Sequence, residues 1–479
     1  MQTYDKLYIG GEWIAPSSSA TLDVISPFTE ERFAMVPEGG VEDIDRAVAA
    51  ARHAFDEGPW PHLAPGERAE MMAAVSAVLQ RRNEDVATAI TREMGCPIGW
   101  SRMGQALAAT MVLDTYVGLA RELTVEETRT GLLGPVVVRQ EPVGVAGAIV
   151  PWNFPLFTIM LKLAPALAAG CTMVVKPAPA TPLDAYMLAE ACEEAGLPPG
   201  VVNVVPASND AAEHLVRHAG VDMIGFTGST AVGRRIGGIC GEQLKRVTLE
   251  LGGKSAAIVL DDADLDKVVP DIVPAGIFNT GQACGAQSRI LVPKRRYAEC
   301  VEALTAVVAA MPVGDPLDDT TTVGPLVSAR QRERVEGYIK IGRDEGARLT
   351  TGGGRPRGLD RGWFVEPTLF ADVDNQMRIA REEIFGPVLV AIPYEDENDA
   401  VGIANDSDYG LSGSVWTSDI EHGLAVARRV RTGTYNVNGF TIDFGAPFGG
   451  YKCSGVGREL GPEGLREYIE HKSIAIFGG

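Results

Sequence analysis

The sequence has no concentration of basic residues. Its 479 residues include 43 Lys and Arg against 63 Asp and Glu, which gives a formal net charge of −20, and no run of Lys and Arg marks a basic track. Phosphate backbones and anionic lipid surfaces attract positive charge. The composition therefore excludes nucleic acid and anionic membranes as favoured partners.

Long apolar runs are also missing. The first residues, MQTYDKLYIGGEWIAP, have neither the basic head nor the apolar core of a secretory signal. No stretch reaches the roughly 18 uncharged apolar residues needed to cross a bilayer. The nearest candidate, residues 156–175, is interrupted by Lys162, Pro165 and Gly170. We expect a soluble protein.

Cysteine and histidine are few and lack metal-site spacing. The seven cysteines are scattered, without a CxxC pair: Cys96, Cys171, Cys192, Cys240, Cys284, Cys300 and Cys453. This argues against a disulfide framework and favours the reducing cytoplasm. His214 and His218 are four residues apart, but Leu215 stands where an HExxH motif has its Glu. We interpret them as solvated helix histidines and predict no metal.

The chain does contain a repeated alternation of apolar runs with amphipathic helical patterns, which is typical of an α/β fold with a largely parallel sheet. Between residues 143 and 260 the predicted strands are VGVAGAIV, TMVVKP, VVNVV, MIGFT, RVTLEL and AAIVL. A second α/β unit begins near Ser255 and runs to about residue 450. The length implies about two or three domains, with ligands beyond the carboxyl ends of the strands.

Cys284 lies in FNTGQACGAQSR, residues 278–289, among small and polar neighbours. Most free cysteines are buried small apolar residues. Here Gly281, Ala283 and Gly285 allow close approach of a substrate, and backbone N–H groups are available to stabilise a thiolate or an oxyanion. The segment indicates a nucleophile.

Two other polar residues stand at element ends. Glu250, in LELGGK, is either a desolvated base at the end of a strand or a carboxylate facing solvent. Asn153, in PWNFPL, precedes a helix starting near Leu156, where its amide either donates to an oxyanion or caps the helix.

A nucleotide site is suggested by FTGSTAVG, residues 226–233, which places Gly228, Ser229 and Gly233 between a strand and a helix. The usual GxGxxG pattern is absent. Lys176 ends a strand from which it could reach a ribose or phosphate. Gly253, Lys254 and Ser255 imitate the end of a P-loop, but Thr248 replaces the required first glycine, so ATP is not implied.

Together these segments resemble the aldehyde dehydrogenase superfamily over nearly the whole chain. The matching stretches are PWNFP at 151, LELGGK at 249, FNTGQACGAQSR at 278, EEIFGPV at 382 and PFGGYKCSGVGRE at 447, in the family's order. The spacing of 34 residues from Glu250 to Cys284 also resembles the family's spacing. The resemblance implies a Rossmann-type cofactor domain, an α/β catalytic domain and a small β oligomerisation arm.

The resemblance also implies domain boundaries and residue roles. The cofactor domain would comprise residues 1–121 and 143–253, the catalytic domain 254–452, and the arm 122–142 and 453–479. Cys284 would attack the aldehyde, Asn153 and the Cys284 N–H would hold the oxyanion, and Glu250 would activate water, with Lys162 and Glu459 as a proton relay. The implied dinucleotide residues are Trp152, Lys176, Pro179, Gly228, Ser229, Val232, Gly233, Leu251, Glu383 and Phe385.

The implied substrate tunnel is mostly apolar and contains no Arg to pair with an acidic semialdehyde: Phe154, Phe157, Thr158, Leu161, Ala283, Gly285 and Phe448. Leu161 replaces a frequent aromatic residue, which argues against a cage for a quaternary ammonium. We expect a medium-sized neutral aldehyde, aliphatic, aromatic or terpenoid.

Pro179 departs from the family pattern. Members that prefer NAD often have a Glu there, which binds the adenine ribose and repels a 2′-phosphate. NAD is favoured because no Arg or additional Lys lies nearby in sequence, and NADP stays open.

Other readings remain. A dehydrogenase that passes the acyl group to coenzyme A commonly lacks the base, so Glu250 favours hydrolysis. A thiol hydrolase lacks a histidine partner in any motif. A structural protein that kept the fold is a third alternative. The resemblance further implies a homodimer or homotetramer.

Overall fold

A computed structural model describes residues 2–477 of the chain. Its largest sheet has eight strands, in the spatial order Gly455–Val456, Arg246–Glu250, Met223–Thr227, Val145–Ile149, Thr172–Lys176, Val202–Val204, Leu7–Ile9 and Glu12–Ile14. The five strands from Arg246–Glu250 to Val202–Val204 are parallel. Their side chains are mostly buried, as in a sheet covered on both faces.

Helices cover both faces of this sheet. They are Val41–Asp56, Pro65–Arg81, Asn83–Met94, Ile98–Trp100, Ala108–Glu122, Pro155–Ala169, Leu183–Glu194, Asn209–Arg217 and Thr230–Glu242, with a π-helical turn at Ser101–Leu107. Pro155–Ala169 is buried along its whole length and ends at Gly170, whose φ of +99° is left-handed. Within residues 2–477, no helix is long and apolar enough to cross a membrane.

A second sheet has seven strands, in the order Arg348–Thr351, Thr368–Ala371, Val388–Tyr394, Arg289–Pro293, Ala256–Val259, Gly413–Trp416 and Asn436–Val437. Only Arg348–Thr351 pairs antiparallel. The associated helices are Leu265–Ile277, Tyr297–Ala309, Ala329–Asp344, Arg378–Arg381, Glu397–Asn405 and Ile420–Ala427, with 3₁₀ turns at Phe278–Gly281 and Lys294–Arg296. The helix Gly461–Arg466 packs instead against Pro155–Ala169 and Ala108–Glu122, and further 3₁₀ turns lie at Trp60–His62 and Lys452–Ser454. The predicted α/β class is therefore confirmed.

Two three-stranded sheets complete the fold. One has the order Gln2–Thr3, Arg32–Pro37, Thr21–Ile25, and the other Ile469–Ala475, Pro135–Pro142, Glu126–Thr130. The second is antiparallel and largely exposed. The last strand of the chain runs from Ile469 to Ala475, and Gly478 and Gly479 lie outside the described residues. The domain boundaries stay a prediction.

The strand order of the large sheet fixes where ligands can bind. From Val145–Ile149 the next two strands, Thr172–Lys176 and Val202–Val204, are added on one side, and Met223–Thr227 and Arg246–Glu250 are added on the other. Such a reversal opens a crevice at the carboxyl ends of the two central strands. Residues 151–154 and 228–229, which follow these strands, therefore come together at one edge.

Candidate active site

One large cavity, about 1210 Å³ in volume, lies at this edge between the two large sheets. The sequence-predicted residues that line it are Trp152, Asn153, Phe154, Phe157, Thr158, Leu161, Gly228, Ser229, Glu250, Leu251, Ala283, Cys284, Gly285, Glu383, Phe385, Phe448 and Glu459. Lys162, Lys176, Pro179, Val232 and Gly233 are not among its lining residues. The fold thus brings segments from five sequence motifs into one space.

Cys284 is partly accessible in this cavity, just after the 3₁₀ turn Phe278–Gly281. Burial raises the pKa of its thiol to about 12, with further contributions from Glu250 and Glu383, and the Gly285 N–H opposes the rise only in part. The predicted backbone donor that favours a thiolate is present at Gly285. The surrounding carboxylates and low polarity outweigh this donor. Cys284 rests as a thiol and needs a base.

Glu250 ends the strand Arg246–Glu250 and is 3% exposed. Neither carboxylate oxygen has a hydrogen-bond partner. Burial raises its pKa well above the usual value, and the neighbouring Glu459 adds to the rise. The predicted desolvation is present, and the alternative of a solvent-facing carboxylate is wrong. A carboxyl with a raised pKa is suited to accept a proton near neutral pH.

Asn153 is buried and its Nδ2 donates to the carbonyl of Gln282 at 2.9 Å. The residue at the N-cap of the helix Pro155–Ala169 is Phe154, without a side-chain cap. The helix-cap alternative for Asn153 is therefore wrong. Because an amide nitrogen carries two protons, one N–H remains for the cavity beside Cys284.

Behind these groups lies a buried ion pair. Lys162 Nζ donates to Glu459 Oε1 at 2.7 Å and to Thr227 Oγ1 at 2.6 Å. The second oxygen of Glu459 is unpartnered and Glu459 lines the cavity, whereas Lys162 is fully enclosed. Glu459 thus connects the interior cation with the space next to Glu250.

The turn at Gly228 and Ser229 joins the strand Met223–Thr227 to the helix Thr230–Glu242, as predicted. Ser229 Oγ accepts the Val232 N–H at 3.4 Å and caps the helix. The amino end of the helix Thr230–Glu242 presents a partial positive charge to the cavity, and this charge suits a phosphate. At Gly233 a Cβ would lie 2.4 Å from the side chain of Leu251, so this glycine serves helix packing.

Glu383 is held at the same end of the cavity. Its Oε1 accepts the Gly253 N–H at 2.9 Å, and burial raises its pKa. Gly253 itself leaves no room for a side chain, since a Cβ would lie 2.3 Å from the Cys284 carbonyl oxygen. The carboxylate, the nucleophile segment and the glycine loop therefore pack against one another.

Two aromatic rings, Trp152 and Phe385, lie on the Glu383 side of the cavity. Trp152 and Phe385 meet edge to face with centroids 5.4 Å apart. Phe385 has a left-handed φ of +66°, a strained value for a bulky residue, and its carbonyl accepts from Gln331 Nε2 at 2.7 Å. Lys176 is buried nearby in the sheet, and burial lowers its pKa to about 8.

The other half of the cavity is aromatic. Phe278 contacts Trp100, Phe154 and Phe440 with centroid distances of 5.3, 6.2 and 5.1 Å. Phe444 contacts Phe157 at 6.1 Å. Sequence analysis missed several apolar lining residues: Trp100, Met103, Met111, Phe440, Ile442 and Phe444. Because so many aromatic rings line the cavity, the presence of Leu161 in place of an aromatic residue does not by itself exclude a quaternary ammonium substrate.

Basic residues of the helix Ala329–Asp344 were missed as well. Arg330, Gln331 and Arg334 line the cavity. The seven predicted tunnel residues include no arginine, but the cavity as a whole contains two. Arg334 donates to the carbonyls of Glu383 and Ile384, at 2.5 and 3.2 Å. Arg334 therefore lies on the Glu383 side of the cavity. No motif signalled this helix, because its pattern is that of an ordinary solvated helix.

The histidine pair lies away from this cavity. His214 Nε2 and His218 Nε2 approach Asp45 Oδ1 at 2.5 and 3.3 Å. The Gly220 N–H donates to His218 Nδ1 at 2.9 Å, so the neutral ring carries its proton on Nε2, facing Asp45. A metal ion would need that nitrogen unprotonated. The arrangement is a hydrogen-bonded cluster of two half-buried histidines with a carboxylate.

The high pKa of Cys284 predicts an unusual pH profile for alkylation. Because its pKa is raised to about 12, the thiolate fraction should grow about tenfold per pH unit from pH 7 to 9.5, without a plateau near pH 9. The measurement is the rate of iodoacetamide labelling at Cys284, followed by peptide mass spectrometry. Cys453, also not fully buried, serves as the internal reference. A plateau below pH 9 would contradict the assigned environment.

The chain is similar to known proteins over nearly its whole length. The aldehyde dehydrogenase family model matches residues 13–474. The chain is 50% identical to geranial dehydrogenase of Castellaniella defragrans over 99% of both chains. It is 45% identical to 3-succinoylsemialdehyde-pyridine dehydrogenase of Pseudomonas sp over 100% of both.

Solved structures agree with these relatives. Mycobacterium tuberculosis aldehyde dehydrogenase, complexed with NAD+, superposes with a TM-score of 0.98 at 51% identity, covering 99% of this chain and 98% of that one. A mutant of aldehyde dehydrogenase C from Pseudomonas syringae, complexed with NAD+ and octanal, gives 0.95 at 42% identity, covering 98% and 96%. The resemblance inferred from the five motifs is confirmed: the chain belongs to the aldehyde dehydrogenase family and is an enzyme of that family.

Proposed function

We propose that this enzyme oxidises a neutral, apolar aldehyde to its carboxylic acid with NAD+, through a thioester on Cys284. The observation that carries the proposal is that Cys284, Asn153 and the unpartnered Glu250 line one cavity whose remaining walls are aromatic at one end and polar at the other. A thiol, an amide donor and a base are the groups that acyl transfer requires.

In the first step Glu250 takes the thiol proton and Cys284 Sγ bonds to the carbonyl carbon. The carbonyl π electrons move to oxygen, which the free Asn153 N–H and the Cys284 backbone N–H hold as an oxyanion. Collapse of this thiohemiacetal expels hydride with its electron pair. NAD+, when bound, would supply the acceptor for that hydride, which leaves a thioester on Cys284.

In the second step Glu250 removes a proton from water, which attacks the thioester carbon. The carbon–sulfur bond breaks, the acid leaves and Cys284 regains a proton. Before this step Glu250 must lose the proton that it took from the thiol. Glu459, which has one free oxygen beside the base and lines the cavity, would take up that proton with Lys162 as its ion-pair partner and release it to solvent in the cavity. We include them as a proton relay.

The dinucleotide fits the polar end. Gly228 and Ser229 open the helix Thr230–Glu242 towards the cavity, which suits a pyrophosphate, and the Glu383 carboxylate suits a ribose diol. Trp152 and Phe385 would pack near the nicotinamide. We assign Leu251, Lys176, Val232 and Gly233 to the surrounding wall and Pro179 to the adenosine side.

The aromatic wall supports the substrate class. Phe278, Phe157 and Phe440 present apolar surface without a cation at that end of the cavity. Relatives named for geranial and solved with octanal favour the same chemistry. Phe154, Thr158, Leu161, Ala283, Gly285 and Phe448 would complete the tunnel.

Absorbance at 340 nm tests the proposal. With NAD+, octanal and geranial should each give kcat/KM values at least about tenfold above those of acetaldehyde and succinic semialdehyde, because apolar contact contributes about 0.8 kcal/mol per buried methylene. The reaction should need no coenzyme A. A preference for the acidic semialdehyde, or dependence on coenzyme A, would contradict the assignment.

Pro179 provides a prediction about the second cofactor. A carboxylate at this position would repel a 2′-phosphate and bond to ribose hydroxyls, so Pro179→Glu should lower kcat/KM for NADP at least about tenfold and leave NAD turnover intact. Pro179→Gln, of equal size and uncharged, is the matched control. Equal NADP kinetics in the Glu and Gln variants would remove Pro179 from the adenosine site.

The remaining expectations belong to the same proposal. The exposed sheet formed by Ile469–Ala475, Pro135–Pro142 and Glu126–Thr130 would pair with a second copy of the chain, giving a homodimer or homotetramer. Residues 1–121 with 143–253, and residues 254–452, would form the cofactor and catalytic domains. We place the enzyme in the cytoplasm because its cysteines are free.

A further inference from the structure

We propose that Asn279 is the positioning residue that aims the Asn153 amide at the oxyanion; this rests on the proposed function. Asn279 is 2% exposed and lies five residues before Cys284, in the turn Phe278–Gly281. Asn279 is not one of the residues that line the cavity. Its effect is exerted through the loop of Asn153.

The contacts form a closed three-way bridge. Asn279 Nδ2 donates to the Asn153 carbonyl at 2.8 Å and to the Gln282 carbonyl at 3.2 Å. Asn153 Nδ2 donates to the same Gln282 carbonyl at 2.9 Å. The main chain of Asn153 and its side chain are thus both fixed against the segment that carries Cys284.

The orientation of the Asn279 amide is determined by its neighbours. Both groups facing Nδ2 are carbonyl oxygens, so a flipped amide would place oxygen against two oxygens. The amide oxygen, Oδ1, is buried without a partner. The donor side of Asn279 therefore makes the contacts, and only the NH2 group supplies them.

The backbone explains why the residue is Asn. Asn279 has φ +54° and ψ +35°, and Thr280 has φ +58° and ψ +32°. Two consecutive left-handed residues other than glycine are rare, and Asn tolerates the region better than most. Strain of this kind persists where the surrounding contacts hold it. Thr280 is held separately, by its hydroxyl contacts with Gly324.

The bridge has a direct consequence for catalysis. One Asn153 N–H is used by Gln282, and the other must point at the developing oxyanion. Without Asn279 the Asn153 carbonyl is released, and the loop of residues 151–154 keeps only one of its two side-chain links to the segment before Cys284, the contact of Asn153 Nδ2 with the Gln282 carbonyl. The oxyanion donor would then be present but misaimed, while the thiol would stay in place.

The test uses Asn279→Gly, which keeps the left-handed backbone and removes the amide. We expect kcat to fall about 10- to 100-fold, up to the loss on removing one oxyanion donor, with unchanged NAD binding and an unchanged rate of Cys284 alkylation. Alkylation needs the thiol but no oxyanion donor. Loss of alkylation in parallel with turnover would overturn the inference, since it would mean that the whole loop had moved.

A double-mutant cycle separates the two residues. In an Asn153→Ala background, Asn279→Gly should have almost no further effect on kcat. Multiplicative losses would overturn the inference. Asn279→Asp keeps the shape and backbone preference but replaces the donor by an oxygen, and should lose at least as much activity as the Gly variant. Wild-type kcat in this Asp variant would overturn the inference as well.

The outcome also distinguishes this inference from the proposed function. If Asn153→Ala turns over normally, Asn153 is not the oxyanion donor, and both the function's oxyanion assignment and this inference fall. If Asn153→Ala is impaired while Asn279→Gly is normal, only the role of Asn279 is overturned. Thermal unfolding of each variant by circular dichroism confirms that the folded protein is being compared.

Discussion

Cys284→Ala should abolish aldehyde oxidation, with kcat falling at least about 1,000-fold, because the covalent route disappears with its nucleophile. NAD binding should remain near that of the wild type, since the residues proposed to hold the dinucleotide lie in other segments of the cavity. Stopped-flow absorbance at 340 nm measures the first quantity and titration calorimetry the second. The variant also removes the raised-pKa thiol that lies beside Glu250 and Glu383.

The matched control is Cys453→Ala. Cys453 is the other cysteine that is not fully buried, and its Sγ accepts from Arg234 at 3.2 Å, outside the residues that line the cavity. This control should keep normal kcat. If Cys284→Ala retains turnover, or if a folded Cys284→Ala protein fails to bind NAD, the role assigned to Cys284 is wrong.

Glu250→Gln should separate the two halves of the reaction. The amide cannot accept a proton, so deacylation should slow about 100- to 1,000-fold, within the range expected for a general base. The expected trace is a pre-steady-state burst of NADH that approaches the enzyme concentration, slowed because Glu250 no longer takes the thiol proton, followed by turnover that is slower still. Mass spectrometry of the quenched enzyme should show the acyl adduct on Cys284.

Glu459→Gln is the informative comparison for that experiment. Glu459 raises the pKa of Glu250, so its neutralisation should lower that pKa and shift the acidic limb of the deacylation profile towards lower pH. Glu250→Gln should instead eliminate the limb. An unchanged steady-state rate in Glu250→Gln would exclude this carboxylate as the essential base.

Those parts of the site that depend on local sequence could be predicted. Glu250, Cys284 and the turn at Gly228 stand at the ends of strands or turns marked by glycine, and parallel strands bring such ends to one edge. The alternation of apolar runs and helical patterns was enough for the α/β class. The desolvation of Glu250 followed from its apolar neighbours.

Features of the site that depend on tertiary packing could not be predicted from the sequence. Phe440, Ile442 and Phe444 lie in an irregular loop, and the sequence gives no sign that it covers the cavity. Trp100 and Met103 resemble core positions of any amphipathic helix. The pKa of Cys284 is raised mainly by burial and further by carboxylates from distant segments, which local reasoning about backbone donors did not include. The cap reading of Asn153 failed because its partner, Gln282, lies 129 residues away.

The short strand Gly455–Val456 is synthesised long after the strand with which it pairs. It pairs with Arg246–Glu250, and the Ser454 hydroxyl donates to the Gly252 carbonyl at 2.7 Å. At about 5–20 residues per second, the ribosome makes this strand roughly 10–40 s after the strand that ends in Glu250. The nascent chain thus carries its nucleophile segment before the edge of the sheet beside the base is closed. A translation product that stops before residue 455 therefore lacks this pairing beside Glu250.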